Sequence, residues 1–150
     1  SAHRRSRGPE SRSGHGLPLP AAAVCLSPWT DLALTGRTLV DNEPFDYLDL
    51  PTMQEAVPLI LARAEPWQAG ISPLYADMHG LPPLLIQAGT TEMLFDDAAR
   101  LAKRASQAGV SVEFEPWENM VHVWHVMSLF EPAARDALAS IGRFVRRHLP

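Results

Sequence analysis

Three short apolar runs, separated by stretches of helical character, most strongly limit the folds open to this sequence. The runs occupy residues 21–26, 84–86 and 110–114, and the third alternates apolar with polar residues. Short apolar runs of this kind are typical of strands that are buried in a parallel sheet. Because helical stretches lie between them, the sequence predicts an α/β protein with about three parallel strands, flanking helices and right-handed crossovers.

Residues 35–50 contain glycine, aspartate, asparagine and proline residues that indicate a loop. The first predicted helix starts at the end of this loop. The helix opens at Asp49-Leu50-Pro51, with Asp49 near the N-cap and Pro51 in the first turn. Pro58 falls inside the helical pattern and is expected to kink or end it. The expected apolar face consists of Met53, Val57, Ile60 and Leu61.

Two later helices are more regular. Asp96 and Asp97 stand at the start of the first, where negative charge complements the helix dipole, and Gly109 is placed to end it in the left-handed conformation. Its expected inner face is Leu94, Ala98, Leu101, Ala102 and Ala105. The last helix starts at Glu131-Pro132, and its expected apolar stripe is Ala134, Leu138, Ile141 and Val145.

The composition is that of one globular domain, with 150 residues of which 46% are hydrophobic and 20% are charged. A formal net charge of -4 argues against nucleic acid as a partner. The single cysteine, Cys25, excludes an internal disulfide, and its apolar neighbours favour a packing role over a nucleophilic one. No apolar run approaches the roughly 18 residues of a membrane helix, so we predict no membrane span and expect a cytoplasmic protein.

Residues 1–16 consist almost entirely of Ser, Arg, Gly, His, Pro and Glu. Such a segment buries too little apolar surface to offset the entropy of ordering, so we predict a disordered basic leader, with the folded domain at residues 17–150. The alternative is an RNA-binding or targeting arm, which the absence of aromatic residues among the arginines disfavours. A signal peptide is disfavoured as well, because Pro18 and Pro20 interrupt the apolar stretch.

A carboxylate and a histidine follow two of the predicted strands. Glu92 comes after the second apolar run and His122 after the third, and the carboxyl ends of neighbouring parallel strands share one rim. A carboxylate that accepts a hydrogen bond from Nδ1–H of a histidine fixes its tautomer and leaves Nε2 free to take a proton from a hydroxyl. Taken singly, Glu92 has a plainer interpretation as a helix-start carboxylate, and His122 as a surface loop histidine.

A second histidine, His125, stands three residues after His122. Two histidines at that spacing on a helix can bind a metal, but no third ligand stands at a telling spacing. The sequence therefore predicts neither a metal site nor a cofactor.

Four motifs occur in an order and spacing that resemble those of a known family. They are Ser27-Pro28-Trp29-Thr30-Asp31-Leu32, Ser72-Pro73-Leu74-Tyr75-Ala76-Asp77, the segment 81–89 and Met120-Val121-His122-Val123-Trp124. Over residues 17–149 the sequence resembles the C-terminal half of hormone-sensitive-lipase-like esterases, which are α/β-hydrolases. The resemblance implies the C-terminal part of an α/β-hydrolase fold and a carboxylic ester hydrolase, with a small acyl ester as substrate and no cofactor.

The resemblance also implies roles for single residues. The acid of the family's catalytic triad lies in patterns such as Glu-x-Leu-x-Asp-Asp, which corresponds here to residues 92–97. Glu92 is therefore the expected acid, and Asp96 is the fallback. The family histidine lies in Met-x-His-x-Phe or a close variant, which selects His122 over His125 as the general base.

The family's nucleophile lies in Gly-Asp-Ser-Ala-Gly-Gly and its oxyanion loop in His-Gly-Gly-Gly, and this sequence contains neither. Ser1-Ala2 is a candidate remnant of the nucleophile motif, followed by residues 3–15, which a shifted reading frame would explain. We therefore expect the chain alone to have little or no esterase activity. The alternative is a non-enzymatic α/β module that forms a homo-oligomer through an open edge of its sheet.

Overall fold

The predicted strands form a parallel sheet in the computed structural model, which describes residues 18–149. Within that range β1 (Ala23–Leu26), β2 (Leu84–Gly89) and β3 (Val112–Trp117) pair in the order β1-β2-β3. Every residue of the central strand β2 is buried. The predicted α/β class is confirmed, whereas the leader expected at residues 1–16 and the candidate remnant Ser1 lie outside the described residues.

The register brings the carboxyl ends of the strands to one rim. Leu26 lies beside Gln87, and Gly89 lies beside Trp117 at the last paired positions of the sheet. The backbone N–H of Ser27 continues this pattern by donating to the carbonyl of Gln87 at 2.8 Å. The residues that follow all three strands therefore start from the same side of the molecule.

Four helices and three short 3-10 turns complete the range 18–149. The helices are α1 (Thr38–Asp41), α2 (Leu50–Leu61), α3 (Phe95–Gln107) and α4 (Pro132–His148), and the turns are Glu43–Phe45, Pro73–Tyr75 and Trp124–Met127. None of these helices is long and apolar enough to cross a membrane.

Helix α3 packs on the sheet with the face that its sequence pattern predicts. Leu94, Ala98, Leu101, Ala102 and Ala105 are all buried. Gly109 adopts the expected left-handed conformation, with φ +82°. The next residue, Val110, donates its backbone N–H to the carbonyl of Ala105 and therefore belongs to the end of the helix. As a result β3 starts at Val112, two residues later than predicted.

Helix α4 begins at the predicted place but is rotated from the predicted orientation. Glu131 caps it, since its carboxylate accepts the N–H of Ala133 at 3.0 Å. Within the expected stripe Ala134 is buried but Leu138 is 41% exposed, whereas Ala137 and Phe144, which lie outside that stripe, are buried. Ala134 and Ala137 pack against Trp124, so two small side chains let the helix approach that indole and turn Leu138 outward.

Helix α2 has the expected cap but not the expected buried face. The Asp49 carboxylate accepts the N–H of Thr52 at 2.8 Å. Pro58 does not stop the helix, which continues to Leu61 before Ala62 takes φ +53°. Met53 is buried, but Ile60 is 50% exposed, so the prediction of one continuous apolar face is wrong.

Candidate active site

Glu92 lies in the loop after β2 and is fully buried. Its Oε2 accepts hydrogen bonds from the Ser27 hydroxyl at 2.7 Å and from the Gly89 N–H at 3.0 Å. Its Oε1 is also buried and has no hydrogen-bond partner among residues 18–149. Burial raises the pKa of Glu92 from 4.5 to about 7, although the two hydrogen bonds act in the opposite direction.

The loop after β3 carries His122 and is bonded directly to the Glu92 loop. Thr91 donates its N–H and its hydroxyl to the Met120 carbonyl, at 3.3 and 2.8 Å. Asn119 donates its N–H to the Thr90 hydroxyl at 2.9 Å. The loops approach so closely that a Cβ at Gly89 would lie 1.9 Å from the Met120 carbonyl oxygen, so this position requires glycine.

The peptide groups on both sides of His122 are held by two residues from the segment before α2. The Asp46 carboxylate accepts the N–H of His122 at 3.1 Å, and the Tyr47 hydroxyl donates to the carbonyl of His122 at 2.7 Å. The rings of Tyr47 and His122 meet edge to face, with 5.9 Å between their centroids.

The imidazole of His122 is partly buried. Its Nδ1 is buried without a hydrogen-bond partner in the described part of the chain. Burial lowers the pKa of His122, and the negative charge of Asp46 opposes that effect. Near neutral pH the ring is therefore uncharged, which is the state that a general base requires.

Ser27 joins the two loops through one hydroxyl. Its Oγ donates to Glu92 and accepts the N–H of Val123 at 2.9 Å, one residue after His122. Val123 itself has φ +47°, a left-handed conformation that is strained for a β-branched residue. Ser27 is thus far in sequence from both Glu92 and His122. It nevertheless contacts the Glu92 carboxylate and the peptide group that follows His122.

A buried ion-pair network fixes the loop that carries Ser27. Arg100 contacts Asp31 at 3.2 Å and Asp97 at 2.8 Å. The other oxygen of Asp97 accepts the N–H groups of Thr30 and Asp31, at 2.8 and 2.9 Å. These bonds attach the loop after β1, in which Ser27 is the first residue, to the first turn of α3.

His125 has different surroundings from His122. It is buried, and its Nε2 lies 2.8 Å from Oε1 of Gln87 on the central strand. Both N–H groups of the Gln87 amide are already used, by Glu115 and by the Ala137 carbonyl, so His125 must donate through Nε2. Burial lowers the pKa of His125 to about 4. This histidine is a neutral core residue that anchors the 3-10 turn Trp124–Met127.

Asp96, the fallback acid, is engaged elsewhere. Its carboxylate accepts the N–H of Arg37 at 2.8 Å, and its own N–H is bonded to the Thr38 hydroxyl at the start of α1. Cys25 is half-buried against the core, where burial raises the pKa of its thiol. In the range 18–149 no three His, Cys, Asp or Glu side chains are grouped to hold a metal.

Sequence reasoning missed Asp46, Tyr47 and Ser27 as parts of this site. Ser27 could have been found, because it follows β1 and so belongs on the same rim as the other two strand ends. Asp46 and Tyr47 lie in a stretch with no periodicity, and their contacts with His122 span 76 and 75 residues. No local signal predicts contacts at that separation.

The comparisons with known proteins agree with this architecture. The chain belongs to the alpha/beta hydrolase fold family, whose pattern it matches over residues 5–126. It is 43% identical over 132 residues to an acetyl-hydrolase of Streptomyces hygroscopicus, a match that covers 87% of this chain and 44% of that protein. It is 34% identical to an esterase of Acinetobacter venetianus, with 84% of this chain and 42% of the relative covered.

Solved structures show the same likeness. A crystal structure of an esterase from the bacterial hormone-sensitive lipase family superposes with a TM-score of 0.87 at 42% identity, covering 91% of this chain and 46% of that one. A hormone-sensitive lipase from a metagenome library gives a TM-score of 0.87 at 37% identity. The resemblance to hormone-sensitive-lipase-like esterases is confirmed, and the chain spans less than half the length of the relatives it matches.

Proposed function

We propose that this chain carries the acid and the proton-transferring histidine of a serine-type carboxylic ester hydrolase. The supporting observation is that Glu92 Oε1 and His122 Nδ1 are both buried and both unpaired within residues 18–149. Ser27 connects their loops through a single hydroxyl. A buried acceptor and a buried ring nitrogen are complementary, because one hydrogen bond between them would satisfy both.

In the proposed reaction, a serine hydroxyl attacks the ester carbonyl while His122 Nε2 takes its proton. The imidazolium then protonates the departing alcohol oxygen, and a water molecule releases the acid by the same two proton transfers. Glu92, once ionised, accepts Nδ1–H, which fixes the tautomer of His122 and stabilises its charged form. This chemistry needs no cofactor.

The nucleophile motif and the oxyanion loop of the family are absent from this sequence. Because the groups of a triad act as a unit, the chain alone should hydrolyse p-nitrophenyl acetate no faster than its His122→Ala variant. Hydrolysis by the parent chain that disappears in His122→Ala would contradict this expectation.

The roles of the two residues are tested where a nucleophile is supplied. Residues 18–149 would replace the matching segment of the Streptomyces hygroscopicus acetyl-hydrolase, and kcat/KM would be measured on p-nitrophenyl acetate. His122→Ala and Glu92→Gln should each lower kcat/KM by about a thousandfold or more. Asp96→Asn is the matched control, since asparagine can still accept the Arg37 N–H, and it should retain activity. A larger loss in Asp96→Asn than in Glu92→Gln would transfer the acid role to Asp96.

A second candidate is a non-enzymatic module that associates through its sheet. It is favoured by β1, which lies at an edge of the described sheet and is only half-buried along its length. Sedimentation velocity separates the candidates, because a defined homo-oligomer, together with an inactive chimera, would favour the module.

A further inference from the structure

Residues 42–47, which we call the 42–47 segment, lie across both loops of the candidate site. At its start, the side-chain amide of Asn42 donates to the carbonyls of Thr90 and Glu92, at 3.0 and 2.9 Å. The 3-10 turn Glu43–Phe45 then leads to Asp46 and Tyr47. One short segment therefore contacts the backbone of the acid loop at one end and the backbone of the histidine loop at the other.

The Asp46 carboxylate bonds to both loops at once. Its Oδ2 accepts the N–H of Met93, the residue after Glu92, at 2.8 Å. Its Oδ1 accepts the N–H of His122 at 3.1 Å and that of Tyr47 at 2.9 Å. Three backbone donors thus converge on one side chain, and an ionised carboxylate can accept on both oxygens, whereas an asparagine can accept on only one.

Tyr47 completes the hold on His122. With its hydroxyl on the carbonyl of His122 and Asp46 on the N–H, both backbone polar groups of that residue are bonded to the 42–47 segment. The next N–H along the chain, that of Val123, is held by Ser27. The backbone of His122 is consequently fixed on both sides, and only the side-chain torsions of its imidazole remain to be set.

We propose that Asp46 is a positioning residue that fixes the backbone of His122, and so the point from which its imidazole approaches the Glu92 carboxylate, with the Tyr47 hydroxyl as the second contact. This role rests on the proposed function, because it matters for catalysis only if His122 transfers the proton. The negative charge of Asp46 adds a second effect, since it favours the charged form of the nearby imidazole and so raises its basicity.

The test follows histidine nitrogens in the full chain, labelled with ¹⁵N at histidine, by long-range ¹H–¹⁵N spectra across a pH titration. In Asp46→Asn the titration midpoint of His122 should move to lower pH, because a neighbouring negative charge is lost. Asp77→Asn is the matched control: Asp77 contacts the ring and the N–H of His79 rather than His122, so that variant should leave the midpoint of His122 unchanged.

Amide exchange gives a second readout on the same protein. The His122 N–H should exchange roughly fivefold faster or more in Asp46→Ala, which removes both accepting oxygens and with them the hydrogen bond to that N–H. Tyr47→Phe keeps the ring and removes no charge, but it loses the hydrogen bond to the His122 carbonyl. It should therefore speed exchange of the Val123 N–H, which belongs to the same peptide group as that carbonyl, without moving the titration midpoint of His122. An unchanged midpoint in a folded Asp46→Asn would overturn the proposal, and so would unchanged exchange at His122 in a folded Asp46→Ala or at Val123 in Tyr47→Phe.

These measurements require no turnover. If the chimera with His122→Ala kept full activity while Asp46→Asn still shifted His122, the proposed function would fail and the contact between Asp46 and His122 would stand. If the chimera lost activity in His122→Ala but the two Asp46 variants left the titration midpoint and the exchange of His122 unchanged, only the positioning role would fail.

Discussion

Replacing Glu92 with glutamine should change how the stability of the protein depends on pH. Glu92 is fully buried, and burial raises its pKa from 4.5 to about 7. The folded chain therefore holds this proton more tightly than the unfolded chain does. A raised pKa contributes stability that is fully present below pH 4.5 and is lost as the pH rises through 7.

The size of the effect follows from the shift. The difference between 7 and 4.5 is 2.5 units, which corresponds to about 3 kcal/mol. The oxygen of a glutamine at this position can still accept from Ser27 and Gly89, but its amide nitrogen replaces the unpaired Oε1. That change costs about 1–3 kcal/mol if the buried N–H has no acceptor, and the cost is the same at every pH.

The useful quantity is therefore the stability of Glu92→Gln minus that of the parent chain. The free energy of unfolding of Glu92→Gln should rise relative to that of the parent chain by about 2 kcal/mol between pH 5 and pH 8. Urea unfolding followed by tryptophan fluorescence at several pH values measures it. Asp49→Asn is the control, because the Thr52 N–H lowers the pKa of Asp49 and places its titration below this window. A difference that stays constant, or that shrinks toward pH 8, would refute the reasoning.

Two further predictions concern the loops and the buried core. Gly89→Ala should destabilise the chain by about 3 kcal/mol or more in urea unfolding, because its Cβ would overlap the Met120 carbonyl. The control is Gly70→Ala, which should change stability by less than about 0.5 kcal/mol because a Cβ there meets nothing within 4 Å. Equal destabilisation by Gly89→Ala and Gly70→Ala would contradict the close approach of the Met120 carbonyl to Gly89. His125 has its pKa lowered from 6.5 to about 4, so the parent chain loses stability as the pH falls through that range. His125→Gln should reduce that loss by up to about 3 kcal/mol, as circular dichroism during acid titration would measure.

The parts of the fold that sequence reasoning predicted are those where local pattern and final packing agree. The apolar run at residues 84–86 became the fully buried β2, and all five residues of the expected inner face of α3 are buried. In both cases the pattern continues over several turns or over a whole strand. The apolar face of such an element is set by its own sequence, so the predicted buried residues are the ones that the folded structure buries.

The incorrect predictions concern helices in which more than one face carries apolar residues, because tertiary packing then determines which face is buried. On α4 the predicted stripe included Leu138, but the helix packs Ala134 and Ala137 against Trp124 and buries Phe144, while Leu138 is exposed. On α2 the spacing of apolar residues around Pro58 suggested a buried face, yet Ile60, a member of that face, is 50% exposed. A hydrophobic pattern states which residues could be buried, and the arrangement of neighbouring elements determines which ones are.

The candidate site divides in the same way. Glu92 and His122 could be nominated because each follows a strand and the ends of parallel strands meet at one rim. The rest depends on hydrogen bonds between residues far apart in sequence, such as the contact of Ser27 with Glu92 across 65 positions. The path of residues 42–47 carries no periodic signal, so Asp46 became visible only through its contacts.

The strained backbone at Val123 has a consequence for anyone who engineers this chain for stability. A left-handed β-branched residue costs about 1–3 kcal/mol, so Val123→Gly is an obvious stabilising substitution. Glycine would also widen the range of backbone angles available immediately after His122 and so reduce the stiffness of the loop. Selection for thermal tolerance alone would favour that exchange, and selection for turnover in the chimera with the acetyl-hydrolase should oppose it. In a library of variants at position 123, the most heat-stable members should therefore carry glycine, and the most active members should keep valine.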